Sequence, residues 1–487
     1  MPEKNQSSFR MTALALALVL SACADMSGIA PAKSNLRDAP SLGLSGAEVP
    51  VKAQWWRDLG DEQLNALVDR ALYGSTSLAL AQARLARAQA STQIANSALY
   101  PHLSAGVEAE RDLFTATSIY PPPLGGSIYN MATVGLNAGW EIDFFGKNRA
   151  ALNAAIGNVR AAEADAQAAR VMLASNLARA WVQWARIQAQ SEIAQRTLAQ
   201  REETLQLVRE RQRAGLDTRL ELRQSEGGLP EARQQIEALA EQAQLARHAI
   251  AALVGEPALA ASLKPPELAD LHVAAPALNL PANLLGQRAD VVAARWRVEA
   301  ATGDVANAKT QFYPNINLMA SAGLSAIGFG RLHESGSEQW SVGPAVTLPL
   351  FQGGRLRANL RGKVADLDAA IESYNATVIE AVRDASDQAA SSQSIARQQA
   401  LQRQAQRATQ DAYDIAVQRY KAGVGNYLQV LVSESAVLAQ KRQGADLAAR
   451  ALETHVALMR ALGGGYQADG TAVVRADRSP NAGTNQQ

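Results

Sequence analysis

Ala132-Thr133-Val134-Gly135-Leu136-Asn137-Ala138-Gly139-Trp140-Glu141-Ile142-Asp143 is the stretch on which the fold turns. On an extended backbone, period two puts Ala132, Val134, Leu136, Ala138, Trp140 and Ile142 on one face and the polar residues on the other. Upstream, Leu103, Ala105, Val107 and Ala109 alternate with Ser104, Gly106, Glu108 and Glu110. Downstream, Ile316, Leu318, Ala320 and Ala322 alternate with Asn315, Asn317, Ser321 and Gly323. A fourth run sets Val342, Val346, Leu348 and Leu350 against Ser341, Gly343 and Thr347, with Met319, Pro344 and Ala345 blurring the last two runs. A soluble sheet with one face on a core would read the same way. Run lengths of ~10–12 residues match tilted outer-membrane strands. Trp140, Trp340, Tyr129 and Phe351 lie toward segment ends, as in an aromatic girdle.

Beyond the amino-terminal segment no stretch is apolar enough for a transmembrane helix, so a spanning structure must be built of strands. Four strands leave two open edges whose backbone groups lipid cannot satisfy. Closure therefore requires further copies of the chain. Two copies give eight strands and a filled interior, and three give twelve and room for a pore.

The plan occurs twice. Leu99-Tyr100-Pro101 opens one strand pair and Phe312-Tyr313-Pro314 the other. Arg213-Ala214-Gly215-Leu216 and Lys421-Ala422-Gly423-Val424 punctuate two long Ala/Gln/Arg-rich stretches. The copies lie about 210 residues apart, far beyond the ~20–50-residue unit of a solenoid. In the first, Leu152, Ile156, Val159, Ala162, Ala166, Ala169, Leu173, Leu177, Ala180, Trp184 and Ile187 step by threes and fours, predicting a coiled-coil-like seam. About sixty residues of helix from Ala150 to the Gly215 tip amount to roughly 90 Å. A second helix returns from near Thr218 to Leu253, and Gly227-Gly228-Leu229-Pro230 should interrupt and kink it. The second copy predicts helices over Leu356 to Tyr420 and Tyr427 to Leu462, with glycine again at the reversal.

Cys23, the only cysteine of 487 residues, follows Lys4, Arg10 and the apolar run from Met11 to Leu20. That layout is a secretory signal, too short to span a membrane as a helix. A lone cysteine excludes disulfides within the chain. The net charge of +1 and the lack of a basic block argue against nucleic-acid binding. His102, His248, His272, His333 and His455 show no metal-ligand spacing, and no phosphate loop or nucleophile elbow is present. The chain therefore reads as a non-enzyme without metal or catalytic residues. A lipid-anchored periplasmic coiled-coil adaptor or scaffold is the alternative class, but it gives no reason for four strands in two matched pairs.

Leu20-Ser21-Ala22-Cys23 resembles the bacterial lipoprotein box. The duplicated plan, the Tyr-Pro strand entries, the run Leu348-Pro349-Leu350-Phe351-Gln352-Gly353-Gly354-Arg355-Leu356-Arg357-Ala358 and Arg419-Tyr420-Lys421-Ala422-Gly423-Val424 resemble the TolC-like outer-membrane factor family. The likeness is to its lipoprotein branch of OprM-like and nodulation-type channels, over about residues 40 to 465. It implies a mainly α chain with a membrane β-barrel, in which a trimer builds a 12-stranded β-barrel continued by a 12-helix α-barrel. Residues 1–22 would be the signal peptide and 23–60 a lipidated amino terminus with an equatorial segment. Residues 61–254 and 281–462 would be the two repeats, 255–280 an equatorial connector, and 463–487 an equatorial segment and mobile tail.

By the same resemblance Cys23 carries the covalent lipid, the only attached group, and Ala24 after it directs the protein to the outer membrane. The chain would serve as a passive efflux conduit for small molecules, with protein secretion as the competing cargo. Its partners would be two further copies, a periplasmic adaptor protein, an inner-membrane pump and outer-membrane lipid. Adaptor docking is expected at Arg213, Gly215, Leu216, Lys421, Gly423 and Val424. Candidate gate residues are Asp217, Arg219, Glu221, Tyr420, Gly425, Gln429 and Val432. Gly425, Gln429 and Val432 stand where relatives place aspartate rings, so a strong acidic ring is not expected there. Arg288-Ala289-Asp290 replaces the family's Arg-Pro-Asp, which should shift one helix boundary.

Overall fold

The computed structural model describes residues 26–32, 35–37, 51–117, 119–272 and 284–466. Cys23, the signal segment, the connector from residue 273 on and the tail from residue 467 on lie outside the described residues. In order come α1 (Glu62–Gly74), α2 (Thr76–Ser97), β1 (His102–Leu113), β2 (Ile128–Ile142), α3 (Lys147–Arg213) and α4 (Arg219–Val254). A helical turn at Leu284–Gln287 precedes the second set: α5 (Ala289–Thr310), β3 (Asn315–Ile327), β4 (Glu338–Thr347), α6 (Arg355–Lys421) and α7 (Tyr427–Ala461). The duplication extends to lengths. α3 and α6 each have 67 residues, α2 and α5 each 22, and α4 and α7 have 36 and 35.

One compact unit holds the strands, with residues 84–163 and 293–374 and the chain up to residue 36. Its sheet is antiparallel in the order β1-β2-β3-β4. Register sorts the side chains as the alternation predicts: Ala105, Leu136, Ala322 and Trp340 form one cross-strand row, and Leu103, Ala138, Ala320 and Val342 another. The apolar face is uncovered, Val107 being 79% and Trp340 77% exposed. Opposite it, Gly106, Gly135 and Gly323 share one row. A Cβ on Gly323 would collide with the Val134 carbonyl oxygen, so only glycine permits this approach. Along that polar face the strands carry Glu108, Glu110, Asp112 and Glu141 and, among the described residues, no Lys or Arg. β4 stops at Thr347, leaving Leu348 and Leu350 outside the strand, because Pro349 cannot donate to a ladder.

The amino-terminal segment runs beside α6. Arg357 Nη2 donates to the Ser27 carbonyl at 3.1 Å, and the Ala32 amide donates to the Asp368 carboxylate at 2.9 and 3.2 Å. Between these two contacts the chain makes a turn, the Ile29 amide donating to the Met26 carbonyl at 3.3 Å with Gly28 at φ +73°.

The other unit comprises residues 37–83, 164–292 and 375–487. Its main core joins Trp55, Trp56 and Leu59 to Leu64, Leu67 and Val68 of α1, to Leu173, Leu177, Trp181 and Trp184 of α3, and to Ile250 and Val254 of α4. Asp61 caps α1, accepting from the Leu64 amide at 2.8 Å, and its second oxygen accepts from Trp181 Nε1 at 2.9 Å.

Two expectations need correction. Leu173, Leu177, Trp184 and Ile187 are buried as expected, but in the first turns of α3 the buried line is Ala154, Gly157, Ala161 and Ala164, and Ile156 is exposed. The reason is backbone contact: a Cβ on Gly157 would meet the Ala300 amide nitrogen of α5 at 2.9 Å, and one on Gly303 would meet that of Ala154 at 2.8 Å. Small residues let the helices touch, so the large ones face elsewhere. α4 is not interrupted at Gly227-Gly228-Leu229-Pro230 and runs through Pro230. At the Arg288-Ala289-Asp290 position α5 starts at Ala289. Arg288 fixes the start, its guanidinium reaching Asp290 at 2.7 Å, Asp384 at 3.5 Å and the Ala461 carbonyl at 3.2 Å. Burial alone would raise the Asp290 carboxyl, but the Arg288 bonds and charge more than offset it and hold it below the ordinary value.

Candidate functional site: the helical tips

α3 and α6 end alike. Gly215 at φ +77° and Gly423 at φ +76° occupy the left-handed conformation that side chains disfavour. The Leu216 amide reaches back to the Arg211 carbonyl at 2.9 Å and Gly215 to Gln212 at 3.1 Å. Val424 and Gly423 repeat this with Arg419 at 3.0 Å and Tyr420 at 3.1 Å, so both tips are Schellman caps. Each return helix then opens on a polar cap. Thr218 and Glu221 form a capping box, and the Asn426 side chain accepts from the Gln429 amide at 3.0 Å. The Thr218 hydroxyl holds the Glu221 carboxyl below its ordinary value. Glu221 is thus committed to starting α4.

Tyr420 and Asp217 meet. Tyr420, 1% exposed, donates its hydroxyl to Asp217 Oδ2. Arg211 completes the group: Nε and Nη2 donate to the two Asp217 oxygens at 3.1 and 3.3 Å, Nη1 donates to the Tyr420 carbonyl at 3.1 Å, and the guanidinium carbon lies 4.5 Å from the Tyr420 ring centre. The Arg211 and Asp217 side chains are only 12% and 7% exposed. Burial, then the Asp217 bond and charge, push the Tyr420 phenol well above its usual value, so it stays a donor. Val208, Tyr413, Ala416, Tyr427, Val430 and Val437 pack around it. Arg211 escaped the sequence reading; its signal was its place six residues before Asp217, since an α3 side chain one turn above the cap can reach a residue just beyond it.

The other candidates do not join this cluster. Arg213, Arg219, Lys421, Gln429 and Val432 are exposed. Gly425 is half-buried, and a Cβ there would sit 3.1 Å from the Tyr420 amide nitrogen. Leu216, Leu220, Val424, Leu428 and Val432, each more than 60% exposed, leave both tips with an apolar surface.

Higher in the same unit, Arg201 of α3 is a second node. Its Nε donates to Glu434 of α7 at 3.3 Å, and Nη1 donates to the Gly228 carbonyl at 2.8 Å and to Glu231 at 3.2 Å, both on α4. Burial raises the Glu434 carboxyl despite Arg201.

The family of outer membrane efflux proteins matches residues 67–256 and 280–464. The chain belongs to that family. The efflux protein is 32% identical over 461 residues to the multidrug resistance outer membrane protein MdtP of Escherichia coli, covering 93% of this chain and 94% of MdtP. It is 31% identical to the pyoverdine export outer membrane protein OpmQ of Pseudomonas aeruginosa, over 96% of this chain and 99% of OpmQ. Among solved structures it is similar to the outer membrane protein VceC of Vibrio cholerae, with a TM-score of 0.81 and 36% identity over 86% of this chain and all of VceC. The efflux protein is accordingly a TolC-like outer-membrane channel protein, mostly helical with a strand-built membrane part.

Proposed function

We propose that three copies of the efflux protein close a twelve-stranded barrel in the outer membrane and a twelve-helix barrel below it. The assembly is a passive conduit, without catalysis, for small molecules delivered by an inner-membrane pump through a periplasmic adaptor. The observation that carries this is the sheet: a four-stranded antiparallel ladder with an uncovered apolar face and two edge strands, which satisfies lipid only as part of a closed barrel. The names of MdtP and OpmQ support small organic cargo.

Cys23 is the proposed lipid attachment site. Cys23 lies four positions before Ser27, which is held beside Arg357, so it reaches no further than ~14 Å from there. That reach includes the start of α6, and the linker just before it exposes Leu350 and Phe351. A lipid there enters the leaflet on the helical side of the sheet, and its several chains hold the anchor stably.

The tips are the proposed gate and docking region. Arg211, Asp217 and Tyr420 hold the closed arrangement, and an adaptor opens it by binding the open state more tightly. The apolar residues Leu216, Leu220, Val424 and Leu428, with Arg213, Lys421 and the positive-φ Gly215 and Gly423, offer its hairpins a mixed surface. The first test is separation of inner from outer membranes, followed by the mass of the oligomer in mild detergent. A trimer in the outer-membrane fraction is expected, and a soluble or inner-membrane monomer or dimer would overturn the barrel.

A further inference from the structure

α2 leads into β1 and α3 follows β2, so the connection between the two strands, from Phe114 to Ser127, lies at the end of the sheet away from the helices. Pairing continues into it: the Phe114 amide donates to the Ser127 carbonyl at 3.0 Å, and the Gly126 amide to the Phe114 carbonyl at 2.7 Å. Period two therefore fixes the side on which Phe114 stands. It shares the polar face with Glu110 and Asp112, and so does Tyr129, which is paired with Asp112.

The connection folds back over that face. Tyr120 and Phe114 meet edge to face with ring centres 5.2 Å apart, and Phe114 meets Tyr129 in the same manner at 6.0 Å. The Tyr129 hydroxyl donates to the Pro123 carbonyl at 3.0 Å, so residues 120–123 are held at both ends over the polar side. The Leu124 and Gly125 amides both return to the Pro121 carbonyl, at 3.1 and 3.3 Å. A Cβ on Gly125 would collide with the Tyr120 carbonyl oxygen, so only glycine closes the turn. Pro121, Pro122 and Pro123 restrict the backbone further. One protomer makes this shape by itself.

We propose that residues 120–125 are a collar that sets the largest cargo able to leave through the outer mouth, held inward by the stack of Tyr120, Phe114 and Tyr129. The proposal rests on three copies closing a barrel whose apolar face meets lipid. The polar face then lines the lumen, and each protomer folds one preformed loop across the exit. The tips decide whether the conduit is open, and the collar decides what passes its far end.

The experiment uses full-length trimers added to one side of a planar lipid bilayer. The long polar helices stay on the side of addition, so the outer mouth opens to the opposite compartment. Polyethylene glycols of graded size are placed in one compartment at a time; a polymer that enters lowers the conductance, and one that is excluded does not. Tyr120→Ala with Tyr129→Phe removes both the outer ring of the stack and the bond to Pro123. It is expected to move the cut-off at the outer mouth to larger polymers and to leave the cut-off from the helical side unchanged. Tyr120 is 45% exposed, so losing its ring leaves the strands packed. Tyr120→Phe keeps the stack and is expected to keep the native cut-off. If the double variant inserts as trimers with the native outer cut-off, or shifts both sides alike, the collar is overturned and the barrel stands. If the native chain gives no conducting trimer, the barrel reading falls and the collar with it.

Discussion

Tyr420→Phe removes one oxygen and keeps the ring that packs among Val208, Tyr413 and Tyr427. What is lost is the hydroxyl bond to Asp217, buried and charge-assisted. Such bonds are worth ~1.5–3 kcal/mol. If the bond exists only in the closed state, its loss multiplies the open-to-closed ratio of each protomer by ~10–100-fold at ~1.4 kcal/mol per decade. Asp217→Asn acts more strongly, because it also leaves the Arg211 guanidinium without its carboxylate, a cost of ~3 kcal/mol or more in a poorly solvated site. The double variant should fall short of the sum, since both substitutions delete the same bond. The assay is single-channel recording of purified trimers, with Tyr427→Phe as the control that alters a neighbouring phenol outside the latch. The reasoning is refuted if Tyr420→Phe forms intact trimers whose closed-state conductance equals that of the native protein.

Asp61→Ala removes the α1 cap and the acceptor of a buried indole N–H, and should lower unfolding free energy by ~2–4 kcal/mol; denaturant titration monitored by tryptophan emission reads it. Gly303→Ala places a methyl 2.8 Å from the Ala154 amide nitrogen, and overpacking net of better helix propensity should cost ~1–2 kcal/mol, seen as a lower melting temperature in detergent. Glu434 is raised by burial among Arg201, Glu231, Tyr413 and Tyr427. Its contribution to stability is therefore full below the unfolded carboxylate value and is lost as pH rises through the folded one. Glu434→Gln should melt above the native protein at pH 7, with the gap narrowing on acidification, and a gap independent of pH would contradict this assignment. Neutralising Glu108, Glu110 and Asp112 to Gln, Gln and Asn in a latch-opened background should reduce cation preference, read as a reversal potential closer to zero in a salt gradient.

Period-two alternation placed the four strands and their faces except at the end of the fourth, where Leu348 and Leu350 fall outside β4, because a sheet exposed to lipid on one side leaves no ambiguity about which residues share it. Glycine in Arg213-Ala214-Gly215 and Lys421-Ala422-Gly423 marked both reversals for an equally local reason. What local pattern could not reveal was which neighbour each helical face meets. Ile156 belongs to the apolar period of α3 yet is exposed, because the contact with α5 is made through Gly157 against Ala300. Arg211 and Arg201 went unnoticed for a related reason. On an arginine-rich helix nothing in the sequence separates a guanidinium that faces solvent from one that bridges α4 and the second repeat.

The duplication also explains why the latch cannot be read from either repeat alone. A shift of 208 residues superposes Gly215 on Gly423, the cap residue Thr218 on Asn426, and Arg211 on Arg419. At the two positions that make the bond, the copies differ in complementary ways. The first tip has Gln212 where the second has Tyr420, and the second has Gly425 where the first has Asp217. Neither tip paired with its own duplicate could join a phenol to a carboxylate; the bond exists only between the first copy and the second. The reversals, which need only glycine and a polar cap, are alike in both copies, and the Asp217–Tyr420 bond between them depends on the difference. Pro230 and its glycines, present in α4 and absent from the matching turn of α7, follow the same division.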